Sequence, residues 1–232
     1  NIIEPLAVIF KSNNFEMKPV LSALFNSAHF YDPIYIGCQI KSPIDHVIGT
    51  LRKANVVFPD ALTDYADAYA HFNNMVGQLT NIGQNLADPP NVAGWPAYYQ
   101  SPEFHELWIN ADTLPKRNKF TDLMLETGYT RNGRRVMIQT IPLAQAISSN
   151  PADPNQLIRD FFELFISTDI DQTTKDNLKK QILLSGQTSD HYWTDAWNNY
   201  QSIQNTINFN LVDSRLKALL KYIMNLPDYQ LS

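Results

Sequence analysis

Residues 62–86, LTDYADAYAHFNNMVGQLTNIGQNL, carry the pattern that decides the fold. Leu62, Tyr65, Tyr69, Phe72, Val76, Leu79, Gly83 and Leu86 recur at alternating steps of three and four. An α-helix brings residues at these spacings onto one face, so the stretch predicts one long amphipathic helix. It is stopped by Pro89-Pro90, since proline lacks an amide donor and clashes with the preceding turn. A stripe of this length predicts a central element with its apolar face buried. On that reading Phe72→Ala costs ~3–5 kcal/mol, the usual range for a core phenylalanine.

The same period recurs on both sides. Leu21, Leu24, Phe25 and Ala28 fit the helical template, as do Ile44, Val47, Ile48 and Leu51. The second set has a defined start, with Ser42 as N-cap, Pro43 at the first helical position and Asp45 in the first turn. Ser101-Pro102-Glu103 repeats that start ahead of Phe104, Leu107 and Trp108. A helix is expected from about Thr113 to Thr127, with Pro115 in its first turn and Gly128 as its stop. Asp153-Pro154 opens another, with Leu157, Phe161, Leu164 and Phe165 inward; a weaker helix covers 172–184. Ser189 is read as the cap of a helix bearing Trp193, Trp197, Tyr200, Ile203 and Ile207. The last is expected from about Asp213 to Asn225, with Leu216, Leu219, Leu220 and Ile223 inward, Arg215, Lys217 and Lys221 outward, and Pro227 beyond it. Asn132-Gly133, beside Val136-Met137-Ile138, is a strong two-residue hairpin signal. The expectation is an all-α, compact, irregular multi-helix domain of eight to eleven helices, more than half helical. It carries at most one small β-hairpin near residues 129–141.

Composition narrows the classes. The chain has 232 residues, 44% of them hydrophobic and 18% charged, so it has the means to bury a core. A net charge of −5 argues against nucleic acid, which asks for a basic face. The single cysteine, Cys38, excludes an intramolecular disulfide. No apolar run approaches the length of a membrane span. The opening Asn1-Ile2-Ile3-Glu4 reads as the start of a fragment, and residues 1–232 as a single helical domain cut from a longer protein.

Between the helices lies Pro89-Pro90-Asn91-Val92-Ala93-Gly94-Trp95-Pro96. Three prolines make this a stiff, shaped loop bearing a large aromatic. Together with Lys18–Phe25, His29-Phe30-Tyr31, Ile40–Asp45, Gly83-Gln84-Asn85-Leu86, Trp108-Ile109 with Leu114 and Arg117, and the closing Pro227-Asp228-Tyr229-Gln230, it resembles the C-terminal half of the bacterial domain of unknown function family 1800. The resemblance implies a mostly helical fold, a parent protein roughly twice as long, and export to the periplasm, cell surface or medium. It implies no established activity, and its common neighbourhood of sulfatase-like proteins hints at envelope or polysaccharide work. The chain departs from the family's pattern after Trp95-Pro96, where Ala97-Tyr98-Tyr99-Gln100 and an extra helix start intervene. It departs again over Tyr129–Pro151, a longer stretch than usual.

The candidate ligand surface is Asn91, Trp95, Tyr98, Tyr99 and Trp108, with Arg117 holding the loop through its carbonyls. Stacked rings beside amides suit sugar rings. The competing reading packs Trp95 and Trp108 against neighbouring helices, as is usual for tryptophan, and leaves Tyr98 and Tyr99 as the exposed pair. His105, Glu106, Glu103 and Asp112 form an acidic set in which first-turn dipole complementation outweighs acid–base chemistry. His29, His46, His71, His105 and His191 include no i, i+4 pair and no metalloprotease motif, so no metal or other cofactor is expected. Cys38 is read as packing, and Arg131, Arg134 and Arg135 as a solvated hairpin tip rather than a phosphate site. No catalytic residue is assigned. The expectation is a binding or scaffolding module of an exported envelope or extracellular protein, glycan-related, with a polysaccharide, an envelope protein or its own N-terminal half as partner. The alternatives are part of a hydrolase completed by that half, and a purely structural partner domain.

Overall fold

A computed structural model describes residues 2–95 and 105–232. Tyr98, Tyr99 and the Ser101-Pro102-Glu103 start lie outside the described residues. Ten α-helices and one two-stranded hairpin make up the regular structure among those described, and 61% of residues are helical. The mostly helical expectation holds. The chain groups into two units, Asn1–Cys38 and Gln39–Ser232.

The first unit holds α1 (Ile3–Ser12) and α2 (Met17–Phe25), which pack as a helical hairpin. Asn14 and Phe15 make the turn with left-handed backbones, a shape asparagine tolerates better than most residues. Neither helix contains a buried residue, and Leu21 and Phe25 of the expected stripe are exposed.

The second unit begins with α3 (Pro43–Lys53), α4 (Tyr65–Asn81) and α5 (Thr113–Glu126). The strands β1 (Tyr129–Arg131) and β2 (Arg134–Val136) follow, then α6 (Thr140–Ile147), α7 (Pro154–Phe165), α8 (Gln172–Leu178), α9 (His191–Ser202) and α10 (Thr206–Asn225). Ser42 and Asp153 start helices as read, while Asn205 is a cap that the expected start at Asp213 missed. The Ser42 hydroxyl accepts from the Asp45 amide, Asp153 from Asn155, and Asn205 from Asn208. Asn205 therefore starts α10 well before Asp213. Ser189 is a correction: its hydroxyl bonds His191 Nδ1 at 2.8 Å, and α9 starts at His191 with no side-chain cap. Trp193 and Trp197 are buried, but Ile203 and Ile207 are exposed because α9 has ended at Ser202. Arg215, expected outward, is half-buried and donates to the Leu183 and Tyr192 carbonyls. A π turn, Lys179–Leu183, prolongs α8.

The central element is α10, not the 62–86 helix. It packs on α5, α6, α7 and α9, with Leu216, Leu219, Leu220 and Ile223 wholly buried. The 62–86 stretch is shorter than its stripe. Asp60 takes the amides of Leu62 and Thr63 into a turn, which delays the start of α4 to Tyr65. Gly83, at φ +101°, ends it, and the Gln84 amide reaches back to the Leu79 carbonyl. The buried face is Ala68, His71, Met75 and Leu79. Leu62, Tyr65, Tyr69 and Phe72 are exposed, Phe72 by 41%. The apolar arc of α4 is wider than one face, and neighbours cover its smaller side chains. The cost of Phe72→Ala falls accordingly to about 1 kcal/mol.

The hairpin registers Tyr129 opposite Val136 and Arg131 opposite Arg134. Asn132 and Gly133 both take positive φ, as a type I′ turn requires. Its arginines are not a free basic tip. Arg134 pairs with Asp64 at 3.1 Å and Asp67 at 2.7 Å, Arg131 bonds Asn74, and Arg135 donates to the Thr127 carbonyl. Two of them thus fasten the hairpin to α4. Gly128 ends α5 at φ +61°, and a Cβ there would lie 2.3 Å from the Val136 carbonyl oxygen. Gly128→Ala should therefore cost ~3 kcal/mol or more. Gly133, also left-handed but with open space around it, should lose only about 1 kcal/mol on the same change. Equal losses in chemical denaturation would mean that strain, not the carbonyl contact, governs position 128.

Candidate functional site

Two places in the second unit gather unusual chemistry. The first is a buried polar knot. Residues 39–41 and the C-terminal segment run side by side: the Lys41 amide donates to the Gln230 carbonyl and the Ser232 amide to the Gln39 carbonyl, each at 2.8 Å. Arg117, wholly buried on α5, donates from Nε to Gln230 Oε1 at 2.7 Å and from Nη2 to the Lys41 carbonyl at 3.0 Å. Lys41 Nζ donates to the Tyr229 carbonyl at 2.6 Å and lies over the Tyr229 ring. His46 Nε2 donates to the Arg117 carbonyl at 3.2 Å. The Tyr229 hydroxyl meets Thr50. At the rim, Gln84 accepts from the Ile44 amide, tying the end of α4 to the start of α3.

No carboxylate pairs with either buried cation among the described residues. Burial, with the charges of Lys53 and Arg117 nearby, lowers the Lys41 pKa to about 8. Burial lowers Arg117 to about 10, still charged at neutral pH. His46 falls to about 3, through burial and then the Arg117 charge, so it is the neutral Nε2–H tautomer. Burial raises Tyr229 to about 12. The groups are locked to one another and to backbone, with Arg117, His46 and Tyr229 almost wholly sealed from solvent. The knot is built to join segments far apart in the chain.

This relocates part of the expected ligand surface. Among the described residues Arg117 holds the Lys41 and Gln230 segments, not residues 89–95 of the loop. Trp108 is 2% exposed and so is no surface platform. Trp95 is half-buried, its ring 6.3 Å from that of Trp108. Asn91 is exposed and turns the loop, its side chain accepting from the Ala93 amide and its carbonyl from Gly94. Asp112 of the acidic set is engaged by Lys116 at 2.7 Å. Cys38 is exposed, its thiol donating to the Tyr35 carbonyl. Among the described residues no group of three histidine, cysteine or acidic side chains could hold a metal, and no helix is long and apolar enough to cross a membrane.

The second place is open. A groove between α3 and α4 encloses about 560 Å³. Its floor is Leu51, Met75 and Leu79, all buried; its walls include Val56, Phe58, Phe72, Val76 and Leu86. Phe72, Val76 and Leu86 are each more than a third exposed. Two exposed members of the α4 stripe, Phe72 and Val76, are therefore walls of a trough. None of these residues was singled out from sequence as a ligand contact. The signal present was an apolar arc on α4 too wide for one buried face.

No curated protein and no solved structure matches the chain. A family model described as "Protein of unknown function (DUF1800)" matches residues 1–231. The chain belongs to the DUF1800 family.

Proposed function

We propose that this chain is a binding module that works by taking an apolar group into the α3–α4 groove. The observation that carries this reading is the groove itself. It is concave, has a size typical of small-ligand sites (~300–1,000 Å³), and is walled by large apolar side chains left open to solvent. A glycan-related role rests on less, with Asn91 and Trp95 near the surface and Trp108 and Arg117 inside. A hydrolase would need convergent, shifted carboxylates. Asp171, lowered by its bonds to Thr174, is an exposed helix cap. The export implied by the family likeness completes the proposal: the module acts in the envelope or outside the cell.

Nile red, an uncharged apolar dye, tests the groove. Wild type is expected to bind it with a blue-shifted emission. Phe72→Asp and Val76→Arg, both at partly exposed positions, should abolish that signal while melting near the wild-type temperature. Dye binding unchanged in both variants, or absent from the wild type, would remove the proposal.

A further inference from the structure

The groove has one polar end. Among the described residues that line it, only Arg52 and Asn55 carry polar side chains; the rest are aliphatic, aromatic or methionine. Both are exposed, and among the described residues Arg52 has no carboxylate within ion-pair distance. Arg52 sits in the last turn of α3. Asn55, three residues on, has a left-handed backbone and donates its amide to the Arg52 carbonyl. The site therefore offers a hydrocarbon trough with an exposed guanidinium and amide at its mouth and, among the described residues, no acidic group in its lining.

Building on the groove's proposed role as a binding site, we infer that its occupant is a single-chain amphiphile with an anionic head, of the class of long-chain carboxylates. The tail lies along Leu51, Met75 and Leu79 between the Phe72 and Val56 walls. The carboxylate accepts from Arg52, and Asn55 supplies a second donor. A guanidinium matches a carboxylate by two parallel N–H bonds, a geometry that a neutral or cationic head cannot use. A partner protein's helix would find the same apolar trough but would not need an anionic end. The charge complement at the mouth favours the amphiphile.

The test is displacement of bound Nile red by three ligands of equal chain length: dodecanoate, dodecanol and dodecyltrimethylammonium, each below its aggregation threshold. Dodecanoate is expected to displace the dye at about fivefold lower concentration than dodecanol, since a solvent-exposed ion pair contributes modestly. The cation should be the weakest. Added salt should narrow the gap, because exposed charges are screened. Arg52→Gln should erase the difference between dodecanoate and dodecanol while Nile red still binds. If dodecanol matches dodecanoate in wild type, or Arg52→Gln leaves the preference intact, the inference is overturned and the groove reading survives. If Nile red does not bind wild type at all, both fall together.

Discussion

Arg117→Ala is expected to lower stability by about 4 kcal/mol, and Arg117→Met by no more than about 1.5 kcal/mol. The alanine change opens a cavity around a wholly buried position. It also strands Gln230 Oε1 and the Lys41 carbonyl, both of which accept from the guanidinium. The methionine change strands the same acceptors but fills most of the volume. It also removes a buried cation that, among the described residues, has no carboxylate partner and no hydrogen-bond partner for its Nη1. Taking such a charge out of water costs several kcal/mol, so its loss offsets much of the lost hydrogen bonding. Denaturant midpoints of the two variants decide the matter. If methionine costs as much as alanine, the hydrogen bonds outweigh desolvation, and the knot is held by its donors rather than by its packing.

The second large effect is on pH. Stability should fall by roughly 4–5 kcal/mol from the His46 contribution as pH drops from 6.5 to 3. Above the ordinary value of 6.5, His46 is neutral folded or unfolded and has no effect. Below it, the unfolded chain takes up a proton that the folded chain refuses, because burial and the Arg117 charge hold the ring neutral to about pH 3. Protons therefore favour unfolding throughout that window. His71, buried between Phe58 and Tyr129, is lowered in the same sense by its burial and by Arg131 and Arg134, against Asp67. His46→Gln keeps a donor for the Arg117 carbonyl and cannot titrate. Its acid limb should be shallower by most of this amount. Identical limbs in the variant and wild type would show that carboxylates, not His46, set the acid sensitivity.

The helices were legible where a local rule decides them. Ser42-Pro43 and Asp153-Pro154 start helices because each cap satisfies amides within its own first turn. Gly128 and Asn132-Gly133 act where they stand because their backbones need φ above zero. What period alone could not supply was the choice of face on α4. Tyr65, Tyr69, Phe72 and Val76 make as good a stripe as Ala68, His71, Met75 and Leu79. The neighbours that chose between them come from other parts of the chain. Arg117 was misplaced for a related reason. An arginine is expected at the surface unless it is paired, and its acceptors, Lys41 and Gln230, lie 76 and 113 positions away. The groove escaped notice because it is made from what a stripe leaves uncovered.

The side-by-side run of residues 39–41 with the C-terminal segment bears on how the molecule is made. Lys41 and Tyr229, in contact through Nζ, are 188 positions apart. At ~5–20 residues per second, synthesis takes roughly 10–40 s to bring the second after the first. Until then Lys41, just ahead of α3, and, once it has been made, Arg117 of α5 lack their acceptors on Tyr229 and Gln230, and the seam stays open. Local helices form long before such a closure. The seam can close only once Tyr229 and Gln230 have been made and dock against the two cations, and a nascent chain stalled short of them presents an unfinished surface there.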